Sequence, residues 1–188
     1  MIETFYEESS HVQNEKGERN KYVAFHVFSI IFIVLSVIFL IFVLANVEIN
    51  NLIPFIFPFL FLVSWAVFFG IFKNRFYVDY DYTLVTGSIR FSKVIMNKKR
   101  KNIASFECSD IEKIGKYNSE TFNQYKKMPN MKLNILTKNG NATEKKDFYY
   151  IVCKVSGEKK FFLLECSKTF LVNVLKYSGK SVLERDFV

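Results

Sequence analysis

Residues 23–47 read VAFHVFSIIFIVLSVIFLIFVLANV and residues 52–72 read LIPFIFPFLFLVSWAVFFGIF, runs of 25 and 21 residues without a single charge. At a rise of ~1.5 Å per residue they make helices of about 37 and 31 Å, against the ~30 Å of a bilayer's hydrocarbon core. Both runs are apolar all round rather than along one stripe, so the remainder of a 188-residue chain could not cover them in water. Two membrane spans are expected, and the bilayer is the first partner. The joining segment, Asn46 to Asn51, holds one charge, Glu48. Asn50 or Asn51 is expected to cap the second helix. Pro54 then falls in its first turn, where the missing N–H is harmless, and Pro58 removes one bond deeper in.

The flanks give an orientation. The joining segment has no Lys or Arg, whereas Lys16, Arg19 and Lys21 precede the first span and Lys73 and Arg75 follow the second. The positive-inside rule places both termini in the cytoplasm. The first 21 residues carry five acidic against three basic side chains, unlike a secretory leader. Three cysteines, Cys108, Cys153 and Cys166, form no CxxC pair and read as small buried hydrophobes in a reducing compartment. Within the spans, His26 is one turn from the cytoplasmic end and reads as an interfacial residue. Ser29 and Ser36 share a face and, with Ser64 and Gly70, are expected to let the helices approach closely.

Outside the spans the chain changes character. Residues 73–188 hold 23 Lys and Arg against 12 Asp and Glu, a net +11. From Phe76 to Leu84 the even positions are Phe, Val, Tyr, Tyr and Leu, and the odd ones Tyr77, Asp79, Asp81 and Thr83, the alternation of a half-buried strand. This places Asp79 and Asp81 on the solvent face as a solvated pair. A tight turn at Thr86-Gly87-Ser88 leads to a strand over 89–97, Lys98-Lys99-Arg100-Lys101 forms the next turn, and a third strand covers 103–108. A short element contains Ile111 and Ile114, and 115–130 reads as a long polar loop with room for one helical turn. Strands follow over 131–137, 148–155 and 160–166, the last two forming a hairpin apolar on both faces and therefore covered. Ser167 then caps a helix carrying Phe170, Leu171, Val174 and Leu175 on one stripe.

Seven short strands and a terminal helix make a small β sandwich or barrel, with three parts to the chain: a tail over 1–21, a helical hairpin over 22–72 and a mainly-β domain over 73–188. The order of elements is that of a pleckstrin-homology-like (PH-like) domain. With Tyr80-Asp81-Tyr82-Thr83-Leu84-Val85-Thr86-Gly87-Ser88-Ile89, Lys99-Arg100-Lys101, Ile103, Phe106 and Ile111, the chain resembles small bacterial membrane proteins in which two transmembrane helices precede a bacterial PH-like domain. The resemblance covers roughly 22–178 and brings no catalytic residues with it. The loop from which phosphoinositide-binding PH domains draw their basic pocket is here Thr86-Gly87-Ser88, short and uncharged, so no inositol-phosphate site is expected there.

No HExxH, P-loop, nucleophile elbow or dinucleotide fingerprint occurs, and only two histidines are present. No enzyme, cofactor or metal is implied. Nucleic acid is not expected, because no aromatic-rich basic platform accompanies the charge. The run Lys98, Lys99, Arg100 and Lys101 is the candidate site. If the first two strands stand upright on the second span, this turn returns to the inner leaflet. The function expected is a membrane-anchored, non-catalytic binding or scaffold module that presents a PH-like domain to a protein partner or to a second copy. The alternative is a sensor of anionic lipid acting through 98–101.

Overall fold

The computed structural model describes residues 5–48, 52–143 and 145–184. They form two compact units, residues 14–77 and residues 5–13 with 78–184.

The first unit is a helical pair, α1 (Glu15–Asn46) and α2 (Ile53–Phe72), each long and apolar enough to cross a membrane. α1 begins before the apolar run because Asn14 accepts a hydrogen bond from the Gly17 N–H (3.0 Å) and Glu15 and Glu18 complement the helix's positive end. The expected asparagine cap of α2 lies outside the described residues; Leu52 precedes the helix without a side-chain cap, and Pro54 stands in its first turn. Ser29, Ser36 and Val43, spaced by seven, are the buried residues of α1. Ser29 Oγ donates to the Ala66 carbonyl across the pair (3.0 Å), and a Cβ on Gly70 would sit 3.3 Å from that hydroxyl. Ser64 faces away and bonds its own helix at Phe61 (2.8 Å). His26 of α1 meets Lys73, the residue just after α2, at 3.0 Å.

The second unit is a mixed α/β domain of two four-stranded sheets. The first has β1 (Phe5–Ser10), β2 (Val78–Val85), β3 (Ser88–Ile95) and β4 (Lys99–Glu107) in that order, all antiparallel. The segment expected as a tail therefore supplies a strand: Phe5 to Ser10 zip onto Val85 to Tyr80 over six pairs. The second sheet contains β5 (Ile111–Lys116), β6 (Leu133–Ile135), β7 (Asp147–Val155) and β8 (Glu158–Cys166), in the order β5-β7-β8-β6. The strand expected over 131–137 shrinks to three residues and runs parallel to β8, so it cannot be one arm of a simple meander. Seven strands form after residue 73, as expected, and β1 makes an eighth among the described residues. The two sheets share no ladder, so of the expected sandwich or barrel no closed barrel forms.

Their apolar faces do share one core. Tyr82, Leu84, Ile89 and Phe91 come from the first sheet and Ile151 and Phe162 from the second, all at most 1% exposed. The β7–β8 hairpin is apolar on both faces because it is covered on both. Its other face (Tyr150, Val152, Phe161, Leu163) packs on Phe122 of α3 (Glu120–Lys127). The stretch read as a loop thus carries a true helix, capped by Ser119 Oγ, which accepts from the Phe122 N–H (3.1 Å). α4 (Lys168–Ser178) begins at Ser167, whose hydroxyl accepts from the Phe170 N–H (3.2 Å), and buries Phe170, Leu171 and Val174 in the main core. The β2–β3 turn has φ +45° at Thr86 and +87° at Gly87. It is the two-residue turn whose twist suits a hairpin, and a Cβ on Gly87 would press on the Tyr177 ring at 3.2 Å.

Candidate functional site

The basic run divides between a turn and a strand. Met96 and Asn97 both have φ +53°, and the Lys98 N–H donates to the Ile95 carbonyl (3.1 Å). The turn is therefore Ile95–Lys98, and Lys99, Arg100 and Lys101 belong to β4, which corrects their placement in a turn. All four are exposed. Strand alternation then separates them. Lys99 and Lys101 lie on one face, opposite Ile95 and Lys93, while Arg100 lies on the other, opposite Val94. Since Val78 pairs with Ile95 and Tyr80 with Ser10, the turn sits at the end of the sheet where β1 finishes and β2 starts.

Arg100 reaches across the outer face of the first sheet. Its guanidinium lies 3.2 Å from Asp81 Oδ2 and 3.4 Å from Glu7 Oε1. Asp79 and Asp81 are not the solvated pair expected: they are 6% and 4% exposed. Ser9 Oγ donates to Asp81 Oδ1 (2.6 Å), the Val12 N–H donates to Asp79 Oδ1 (3.1 Å), and His11 Nδ1 lies 3.2 Å from Asp79 Oδ2. The alternation assigns both carboxylates correctly to the face away from the core. What it misses is that β1, its following turn and Arg100 cover that face. Beyond Arg100 the outer face is an open polar recess, lined among others by Thr83, Ser92 and Asn102 and by Arg90. Arg90 is exposed and has no carboxylate partner among the described residues.

A second polar cluster was not legible. Glu165, 1% exposed, accepts from Ser10 Oγ, Thr137 Oγ1 and Asn139 Nδ2, each at 2.7 Å. Beside it, Glu8 accepts from the Ser167 N–H (2.9 Å) and Oγ (2.7 Å) and lies 3.3 Å from Lys146 Nζ. These carboxylates fasten the inner face of β1 to the second sheet and to the start of α4. The partners lie up to 159 residues apart in the chain, so no local pattern could have announced them.

None of this is arranged for catalysis. Cys108, Cys153 and Cys166 are buried, and burial pushes the thiols of Cys108 and Cys153 up to about 12 and that of Cys166 well above its ordinary value. A thiol held protonated is neither nucleophile nor metal ligand. No group of three or more His, Cys, Asp or Glu side chains that could hold a metal occurs among the described residues.

The family described as Bacterial PH-like domain (DUF6106) matches residues 11–184, a stretch that takes in α1, α2 and both sheets from β2 onward. The chain belongs to this bacterial PH-like domain family. PH-like domains are characteristically non-catalytic binding modules, in keeping with a fold whose Asp79, Asp81 and Glu165 are held by neighbouring donors and whose thiols are buried. No curated protein and no solved structure matches the chain. On the surface of this PH-like domain, Lys98, Lys99 and Lys101 are exposed at the β3–β4 hairpin, and Arg90 is exposed among polar neighbours on the outer face.

Proposed function

We propose that this protein is a membrane-anchored binding module: α1 and α2 hold it in the bilayer with both termini cytoplasmic, and its PH-like domain takes up a protein partner at the inner face. The observation that carries this reading is the contrast within the domain's charges. Glu8, Asp79, Asp81, Glu165 and Arg100 are consumed by internal contacts, whereas Lys98, Lys99, Lys101 and Arg90 are exposed and have no carboxylate partner among the described residues. Exposed charges without a carboxylate partner favour a partner of complementary charge and steer its encounter.

A second reading, anionic lipid, is favoured by the position of Lys98. It lies at the end of the sheet from which the chain runs out after β1 and to which it returns at β2. Each basic side chain near an anionic leaflet contributes about 1 kcal/mol, so Lys98, Lys99 and Lys101 together give weak, salt-sensitive binding. Site-specific photo-crosslinking in native membranes separates the two. A benzophenone side chain is placed at Lys98, at Arg90 or at Asn102. A discrete adduct with another polypeptide supports the partner reading. An adduct with lipid at Lys98 and none with protein at any position supports the lipid reading. If neither forms, the proposed function fails.

A further inference from the structure

The β3–β4 hairpin ends in an open sheet edge. β4 has one neighbour in its sheet, β3, and among the described residues no strand or loop pairs with its other side. Residues 99–103 are exposed on both faces, so nothing covers that side. The alternate N–H and C=O groups there are a template for an added strand. The side chains decide which strand. Lys101 stands directly opposite Lys93, and Lys99 follows on the same face. Like charges paired across strands are unfavourable, and lysines on an edge repel a second edge of the same kind. Arg100, on the other face, is already satisfied by Asp81 and Glu7.

We propose that the β4 edge accepts an extended segment of a partner protein that adds as a further strand and carries carboxylates at alternate positions, aligned with Lys99 and Lys101. This rests on the partner reading above and deepens it by naming the contact. Backbone bonds to β4 supply register, and the alternate carboxylates select the partner. A segment with lysines there is rejected by the same side chains. The opposite face of the added strand lies beside Arg100 and Asn102 at the rim of the polar recess and needs no charge.

The test uses the full chain in nanodiscs of phosphatidylcholine, which offers no anionic lipid. The probe is a fluorescein-labelled peptide, Thr-Glu-Val-Glu-Val-Glu-Val-Thr, followed by anisotropy. Two further versions carry N-methyl groups on one or the other alternate set of amides, with the charge unchanged. Strand addition predicts that one methylated set weakens binding at least about tenfold and the other leaves it unchanged, because only one set faces β4. The double variant K99E/K101E should lose the Glu peptide to a similar degree and bind the Lys-for-Glu peptide instead. Both sites are exposed, so an unchanged circular dichroism spectrum is expected and serves as the folding control. Equal binding of the two methylated peptides would mean charge attraction alone and overturn the proposal, as would no binding of the parent peptide or binding indifferent to K99E/K101E. A protein adduct in the crosslinking experiment with any of these results would leave the partner reading standing and remove only the strand-addition contact.

Discussion

Glu165→Ala is the sharpest test of how β1 is held. The carboxylate is 1% exposed and takes three hydrogen bonds of 2.7 Å, one from Ser10 on β1 and two from Thr137 and Asn139 after β6. A hydrogen bond to a charged group contributes ~1.5–3 kcal/mol, so the three amount to about 4.5–9 kcal/mol before any offset. Alanine removes them and leaves their donors to find other acceptors, but it also removes the cost of burying a carboxylate. The expected net loss is ~3 kcal/mol, which for a domain of this size lowers Tm by roughly 10 °C. The loss should be uneven. Hydrogen exchange of the full chain in micelles should quicken first at the amides of Phe5 to Ser10, whose strand loses its inner anchor, and only later in the β7–β8 hairpin. Glu165→Gln keeps one acceptor oxygen and should fall between wild type and alanine. Unchanged exchange over β1, with Tm lowered by less than about 2 °C, would refute the idea that this carboxylate clamps the strand.

Four further outcomes are expected. Lys98, Lys99 and Lys101 replaced together by Gln should leave thermal unfolding nearly unchanged. Arg100→Gln should lower stability by about 1–2 kcal/mol, because it strands the nearly buried Asp81; equal effects of the two changes would contradict the pairing. Cys108, Cys153 and Cys166 should resist iodoacetamide at pH 8 in the folded protein and react in denaturant, as mass spectrometry of the labelled chain would show. With those thiols silent, single cysteines at Asn50 and Asn130 report topology in intact cells: an impermeant thiol reagent should label Asn50→Cys alone, and labelling of Asn130→Cys alone would reverse the orientation. Glu112 has its pKa lowered, first by its hydrogen bond from Lys159 and then by the charges of Lys159 and Lys154. A carboxyl whose folded pKa is depressed stabilises the fold above its unfolded pKa of ~4.3, and that contribution disappears as pH falls through the lower folded value. Glu112→Gln should therefore reduce stability by under ~1 kcal/mol at neutral pH and by nothing at pH 2, measured by urea titration at the two pH values.

The amino-acid order alone determines the features that depend on near neighbours. The two uncharged runs make the helical pair, since length and apolarity are properties of the runs themselves. Alternation defines β2 and assigns Tyr82 and Leu84 to the core. The double-sided apolarity of Phe148 to Val155 announces a covered hairpin, and Ser167 with Phe170, Leu171 and Val174 announces α4. Even the misplacement of Lys99 to Lys101 follows from a local ambiguity: a run of lysines reads as a turn, whereas two positive-φ residues just before it, Met96 and Asn97, had already closed the hairpin.

Only the tertiary structure decided what joins distant segments. That Phe5 to Ser10 form a strand rests on Tyr80 to Val85, some 75 residues on, because β1 turns half-buried Glu8 and buried Ser10 inward and so lacks the apolar alternation that marks a strand. That Asp79 and Asp81 are covered rests on Ser9, His11 and Arg100. That Glu165 can be buried at all rests on donors from two other segments, Ser10 on one and Thr137, Asn139 and Thr143 on the other. A buried polar group is stable only when its partners arrive from elsewhere in the fold, and no single stretch of sequence records that they will. The surface is subject to the same limit. Lys99 and Lys101 are visible as charges, but the open edge that gives them a direction exists only once β3 has paired on one side of β4 and nothing has paired on the other.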